Sequence, residues 1–515
     1  PNIQQICDEE YSNPANFPSG TQVELEYALT IRRPNGTEEN FSQEMMQSYF
    51  QQQEGENFNL LFDSAEQAQN YIDTYKAAVT YDGSEVLSES ITMAPQPQSS
   101  VVIMDQHTGY VKAIVGGRGE KTSSLSLNRA TSTLRQPGST FKLVSTYAPA
   151  LNECGMTLAT TYTDKPITYK DGTPVKNATN SYRGETTIRE AIIHSINTVA
   201  VQCFTDVTPQ LGYEYLKKFG FTTVYDNISI NGKIYTDIQQ PTALGGITRG
   251  VSNLELTGAY AAIANSGTYI KPMFYTKILD EDGNVVIDNT PEERKVIKPS
   301  TAYLLTSAME DVVKQGTGTA CQLDNMPVAG KTGTTEAYND LWFVGYTPYY
   351  TCAVWSGYDN NEKLPDYARN FHKALWKKVM TRIHEGLPSK EFEKPASVEK
   401  LSVCEETGLL PRAGCPVITE YFDVGTMPTE YCDQHFYDSD DYDYNYDTDS
   451  SDQTDNTTDT DNSESSDNGD TDNSGDSNNT DDNGNSGDDG TDNTGGSDDN
   501  GDGNEDDSSY QVDYY

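Results

Sequence analysis

At about Tyr437 the chain changes character. From there to Tyr515 it is nearly all Asp, Asn, Ser, Gly and Thr, with tyrosines and Val512 as its only larger apolar side chains. Such a segment cannot bury enough surface to offset chain entropy, so it is predicted to be a disordered, solvated tail. This boundary also explains the charge. The whole chain carries −44 and a mean hydropathy of −0.68, values that would suggest disorder throughout if evenly spread. About 27 of its 79 acidic residues lie beyond the boundary, and Arg412 is the last basic residue. Roughly the first 435 residues are therefore mildly acidic and long enough to build a large core.

A chain of 515 residues carries a prior of roughly two to four domains. No basic stripe exists, which argues against nucleic acid as a partner. No run of about 18 apolar residues occurs, and "PNIQQICDEE" is not a signal peptide. Eight cysteines include no C-x-x-C pair. Five are scattered, at Cys7, Cys154, Cys203, Cys321 and Cys352, while Cys404, Cys415 and Cys432 cluster. Two readings of that cluster stand open. One is a disulfide within it, suited to an exported protein. The other, weaker, is a zinc site with His435, whose spacings match no finger or ribbon pattern. No metal is assigned on sequence grounds.

Four units are expected, at residues 1–96, 97–400, 401–436 and 437–515. In the first, "TQVELEYALTI" alternates like a strand, "RRPNGT" is a turn signal, and Ser64 with Gln67 forms a capping box for "SAEQAQNYIDTYKAAV". "MAPQPQSS" reads as a Pro-rich hinge. "VVIMDQHTGYVKAIVGG" gives two strands at the edge of a main sheet, and helical patterns dominate the middle, including one ended by Gly267. Strands return at "MPVAGKTGT", "DLWFVGYTP" and "YTCAVWSGY". A packing helix follows, with Phe371, Ala374, Leu375, Val379 and Ile383 on one face. The fold class is α/β (α+β), a central antiparallel sheet flanked by helices.

Three short motifs carry the chemistry. In "RQPGSTFKLVS", Pro137-Gly138 breaks the chain before a helix whose first turn holds Ser139, with Lys142 one turn on. Unpaired backbone N–H groups and the helix dipole there favour an oxyanion. The ordinary reading is an N-cap serine and a surface lysine, since S-x-x-K arises ~2 times by chance in such a chain. "HSINTVAVQCF" places Ser195 and Asn197 beside an apolar helical stretch, which alone marks only a helix start. "AGKTGTTEAYND" gives Lys331, Thr332, Gly333 and Thr334 at a strand edge. A cation and two hydroxyls there can hold a carboxylate, and the glycine permits close approach. KTGT arises only ~0.02 times by chance. His194 adjoins Ser195 and reads as structural, and no G-x-S-x-G elbow is present.

The order S-x-x-K, S-x-N, K-T-G is a recognised association of penicillin-interacting serine enzymes. "NRATSTLRQPGSTFK", "SINTVAVQ", "ALGGITRGVSNLELTGAYAAIANSGTYIKP" and "GKTGTTEAYNDLWFVGYTPYYTCAVWSGYD" extend it. Over roughly residues 97–390 the chain resembles the transpeptidase part of class A penicillin-binding proteins, and more loosely so in its first unit and through "CEETGLLPRAGCPVITEYFDVGTMPTEYC". The resemblance implies the transpeptidase fold shared with serine β-lactamases, with residues 1–96 as a linker or pedestal. It implies a serine DD-transpeptidase that cross-links stem peptides ending in D-Ala-D-Ala, is acylated by β-lactams and needs no cofactor.

The same resemblance assigns roles. Ser139 is the nucleophile and Lys142 its base, which requires a pKa depressed by about 3, or roughly 4 kcal/mol. Burial and the neighbouring Lys331 are the physical means. Ser195 relays a proton to the leaving amine, and Asn197 holds the donor amide. Lys331, Thr332 and Thr334 bind a carboxylate, with Gly333 between them, and the N–H groups of Ser139 and Thr334 form the oxyanion hole. The family's upstream glycosyltransferase domain, with its E-D-x-x-F type motif, is not found here, so glycosyl transfer is not expected and a membrane anchor is taken to be missing. The expected location is the extracytoplasmic face of a bacterial membrane, with other cell-wall synthesis proteins as partners. For the tail, metal or wall binding is the other reading. The alternatives to transpeptidation are a DD-carboxypeptidase or β-lactamase, in which water takes the acyl group, and a non-catalytic penicillin-binding sensor or scaffold.

Overall fold

The first helix, α1 (Asn2–Ser12), precedes a four-stranded sheet built on the alternation in β1 (Gln22–Arg32), where Leu25, Tyr27, Leu29 and Ile31 point inward. β2 (Glu38–Ser42) pairs with β1 across the expected Arg33–Gly36 turn. β3 (Leu61–Phe62) continues that side and β4 (Glu85–Gln96) takes the other. α2 (Gln43–Glu54) and α3 (Ala65–Val79) close this core with Met46, Phe50, Ile72 and Tyr75. The Ser64 cap differs in one detail from expectation. Gln67 N–H donates to Ser64 Oγ, but the Gln67 side chain accepts from the N–H of Asp63 rather than of Ser64.

This computed structural model describes residues 2–81, 83–121 and 126–435, and the tail predicted from residue 437 onward lies outside them. The chain splits into Pro1–Asp441 and Tyr442–Tyr515, and all described residues belong to the first unit.

β5 (Gln98–Met104) begins two residues after β4 ends, so "MAPQPQSS" is not a hinge but a passage from one sheet to the next. Its glutamines are buried and bonded. Gln96 Nε2 donates to Glu24 Oε2 at 2.8 Å and to Asp359 Oδ2 at 2.6 Å, and Gln98 Nε2 donates to Pro95 O at 2.7 Å. β6 (Val111–Val115), β7 (Ala329–Thr334), β8 (Asp340–Tyr346) and β9 (Thr351–Gly357) complete an antiparallel sheet in the order β7-β8-β9-β5-β6. Every residue of β5, β8 and β9 is buried, which marks a sheet covered on both faces.

The helices on one side follow in chain order. A 3-10 turn (Gly138–Thr140) and a π turn (Lys142–Tyr147) lead into α4 (Ala148–Asn152). Then come α5 (Ile188–Ile193), α6 (Asn197–Val207), α7 (Pro209–Lys218), α8 (Asn253–Ala264) and α9 (Pro299–Gln315). They share one core with Trp342, Val344, Tyr346 and Trp355 from alternate positions of the sheet. The opposite face, with Phe343 and Val354, packs on α1 and α10 (Phe371–His384). The buried face of α10 is rotated from expectation. Ala374 is exposed, while Trp376 and Met380 join Leu375, Val379 and Ile383 inside. At the β6 edge, Gln4 offers its side-chain amide both ways, accepting from Ile114 N–H at 2.9 Å and donating to Ile114 O at 3.1 Å.

A last hairpin, β10 (Val398–Cys404) with β11 (Val417–Asp423), is held to the helical side by Arg189 of α5. That guanidinium grips both oxygens of buried Glu420 at 2.6 and 2.7 Å, and Asp311 of α9 at 2.6 Å. Mixed helices and antiparallel sheets make this the α/β fold expected from sequence. Among the described residues no helix is long and apolar enough to cross a membrane.

Candidate active site

Ser139 sits half-buried in the 3-10 turn, and Lys142 begins the π turn behind it. Two glycines let the turn dock against β7. Gly138 has φ +54°, and a Cβ there would lie 2.8 Å from Thr334 O. A Cβ on Gly333 would lie 2.6 Å from Pro137 O. Neighbours fix the turn. Tyr260 donates to Thr140 O at 2.7 Å, Trp342 Nε1 to Gln136 O at 3.0 Å, and Arg135 pairs backbone groups with Val251.

The SIN segment occupies the break between α5 and α6. Ser195 adopts φ +57°, a left-handed conformation uncommon for serine. Asn197 starts α6, with its N–H bonded to Asn177 Oδ1 at 2.9 Å and its Nδ2 to Lys176 O at 2.7 Å. These contacts turn Asn197 Oδ1 and both Ser195 oxygens onto one atom. Lys142 Nζ donates to Asn197 Oδ1 at 2.6 Å and Ser195 O at 2.7 Å, and lies 3.3 Å from Ser195 Oγ. His194 instead faces Glu190, Nε2 to Oε2 3.1 Å, in keeping with a structural role.

β7 is an edge strand of the main sheet and carries Lys331 on its buried side. Lys331 Nζ donates to Ser195 Oγ at 2.9 Å and to Thr332 O at 3.1 Å. Thr332 Oγ1 lies 2.7 Å from Thr317 Oγ1, and Thr334 is exposed. Both lysines are fully buried. Burial, and secondarily the charge of Lys331, pushes the Lys142 ammonium well below the usual lysine range. Burial lowers Lys331 to about 7.

Lys142 Nζ meets two kinds of partner, pure acceptors and a hydroxyl. Ser195 O and Asn197 Oδ1 can only accept, so a neutral amine gives them its two N–H groups and turns its lone pair toward hydroxyls. Lys331 donates to Ser195 Oγ, leaving the Ser195 proton free to point at Lys142. The result is a directed chain from Lys331 through Ser195 to Lys142, with one lysine suited to be neutral and the other charged.

All three motifs therefore converge, bringing together Ser139, Lys142, Ser195, Asn197 and Lys331–Thr334. The sequence reading missed the supporting residues Asn177, Thr317 and Tyr260. Asn177 also accepts from Thr198 N–H and donates to Asp164, and a lone loop asparagine carries no signal of this.

This fold and site match a known class. The family model described as "Penicillin binding protein transpeptidase domain" matches residues 99–381, and "Penicillin-binding protein 1A, C-terminal domain" matches residues 394–437. The chain belongs to the penicillin-binding protein transpeptidase family. Penicillin-binding protein 1A of Clostridium tetani is 38% identical over 357 residues, which cover 66% of this chain and 45% of the relative. Penicillin-binding protein 1F of Bacillus subtilis is 35% identical, over 59% of this chain and 41% of the relative. The chain thus spans less than half the length of these curated relatives. Among solved structures, penicillin-binding protein 1A from Haemophilus influenzae aligns with a TM-score of 0.59 at 20% identity, covering 84% of this chain and 72% of that one, a likeness of fold alone. PonA1 from Mycobacterium tuberculosis, in complex with penicillin V, aligns with a TM-score of 0.51 at 27% identity, over 59% of this chain and 82% of that one.

Proposed function

We propose that this chain is a serine DD-transpeptidase of peptidoglycan synthesis. The carrying observation is the pair of buried lysines on Ser195 Oγ, both held below the usual lysine range by burial. Ser139 Oγ attacks the penultimate D-Ala carbonyl of a stem peptide, and its proton passes to neutral Lys142. The tetrahedral oxyanion rests on the N–H groups of Ser139 and Thr334. As the C–N bond breaks, Ser195 hands a proton to the leaving D-Ala nitrogen and is reprotonated from Lys142. An amine of a neighbouring stem then displaces Ser139 from the ester, forming the cross-link. Asn197 holds the donor amide, and Lys331 with Thr332 and Thr334 holds the terminal carboxylate, Gly333 giving the peptide room.

A β-lactam with a carboxylate presents the same groups, and the similar PonA1 has been solved in complex with penicillin V. The substrates place the working site on the extracytoplasmic side of a bacterial membrane. Other cell-wall enzymes are its expected company, and glycan-chain extension is not expected of these residues.

Mass spectrometry after penicillin exposure tests the reading. A covalent adduct is expected on the Ser139 peptide and none on Ser139→Ala, whereas an adduct that survives the substitution rejects the nucleophile. With stem peptides, dimer formation supports transpeptidation. D-Ala release without dimers assigns a carboxypeptidase instead, and acylation without either reaction assigns a sensor.

A further inference from the structure

We propose that the C-terminal hairpin carries a structural zinc site made by Cys404, Cys415, Cys432 and His435. The four ligand atoms lie within 4.8 Å of one another, although they come from the end of β10, the hairpin loop and the segment after β11. His435 Nδ1 is 3.5 Å from Cys404 Sγ and 3.3 Å from Cys432 Sγ. Tetrahedral zinc with ordinary bond lengths requires S···N separations of about 3.5 Å and S···S separations of about 3.8 Å. The two S···N separations match such a shell, and all four ligand atoms lie close enough to close onto one ion.

The surroundings fit as well. His435 Nε2 pairs with Glu406 Oε2 at 3.2 Å, which fixes the ring and leaves Nδ1 toward the sulfurs, as an outer carboxylate does in zinc sites. The N–H of Arg412 donates to Cys415 Sγ at 3.2 Å, a bond that favours a thiolate. All eight cysteines are free. A disulfide would use two sulfurs of this cluster and strand the third, whereas three thiolates and one imidazole complete a closed shell with no open position. Such a shell is structural rather than catalytic. Binding releases the thiol protons and leaves the centre with one net negative charge.

The hairpin also needs a staple. Its buried apolar residues outside the main core are few, chiefly Val403 and Phe422 against Ala159, and small cores are commonly supplemented by metal. The cross-ties Cys432 N to Leu410 O, 2.8 Å, and Leu410 N to Glu430 O, 2.9 Å, bring the last two ligands onto the hairpin loop. Spacing alone hid this, because finger and ribbon patterns presume two local pairs. Here only Cys432 and His435 are local.

The test uses the full chain, purified without chelator, with metal measured by mass spectrometry and thiols counted after denaturation in EDTA. The expected result is about one zinc per chain with all eight thiols free. Cobalt substitution should give thiolate-to-metal charge-transfer bands with tetrahedral d–d absorption. Cys415→Ser and Cys432→Ser should lower zinc occupancy at least tenfold, and His435→Cys should keep it, guarding against a variant that merely fails to fold. A metal-free wild-type chain two thiols short means a disulfide and overturns the site. Zinc content unchanged in the serine variants overturns it equally. Neither readout depends on acylation at Ser139, so this inference and the proposed function fail separately.

Discussion

At the residue scale, the two lysines divide one problem between them. In the proposed mechanism a base must be neutral and a carboxylate anchor charged, and Lys142 and Lys331 meet in the same buried space around Ser195. Lys331 is lowered to about 7, so its charge fades as pH rises through that value, while Lys142, held well below the usual lysine range by burial and by the charge of Lys331, gains basic form as pH rises. Acylation by a penicillin carboxylate should therefore trace a bell against pH. Its methyl ester should lose the alkaline limb, and a shared limb in stopped-flow acylation would argue against Lys331 as anchor. The same shift bears on stability. Between about 7 and the unfolded value near 10.5 the unfolded chain holds more protons than the folded one. The penalty of burying Lys331 is thus full below about 7 and fades as pH rises. Lys331→Met should raise Tm at pH 7 by a few degrees in calorimetry, while slowing acylation by the carboxylate at least tenfold.

At the element scale, the Ser139 turn is held against β7 by glycine contacts rather than by the helix that follows it. Gly333→Ala would press a methyl group against Pro137 O and push the Ser139 turn off β7. Acylation is expected to fall at least tenfold with near-normal circular dichroism and a destabilisation of ~1–3 kcal/mol by denaturant. Unchanged acylation would mean the turn tolerates the shift. Much at this scale was legible in sequence. "DLWFVGYTP" and "YTCAVWSGY" are the strands their β-branched and aromatic runs suggest, and the order of the three motifs located Ser139, Ser195 and Lys331. Other features were not. A π turn leaves no periodic trace, so nothing in "FKLVSTY" announces it. The left-handed Ser195 falls at a residue that seldom adopts that conformation. Ala374 looked like a core position because a helical stripe has two edges, and bulky Trp376 took the other one. "MAPQPQSS" looked like a hinge because prolines usually interrupt strands, whereas here β4 runs through Pro95 to Gln96 at the end of its ladder.

At the scale of the whole molecule, Arg189 ties together parts that sequence leaves unrelated. It sits on the short helix leading to Ser195 and binds Glu420, more than two hundred residues away, with Asp311 between. Arg189→Met strands a buried carboxylate and should cost about 3–5 kcal/mol in chemical denaturation. Adding Glu420→Leu should recover much of it, and a double variant as unstable as the single one would reject the clamp. No local pattern foretells such a pair, since each residue alone is an ordinary surface charge. The sheet edges were equally silent, yet they differ in kind. At β6 the Gln4 amide imitates one peptide unit of a missing neighbour strand, taking up the donor and acceptor of Ile114. At the far edge, β7 pairs on one side with β8 and with no other described strand. An incoming extended chain therefore finds one border already occupied and the other lined by Lys331, Thr332 and Thr334. The sheet is built to lengthen in a single direction, toward the serine.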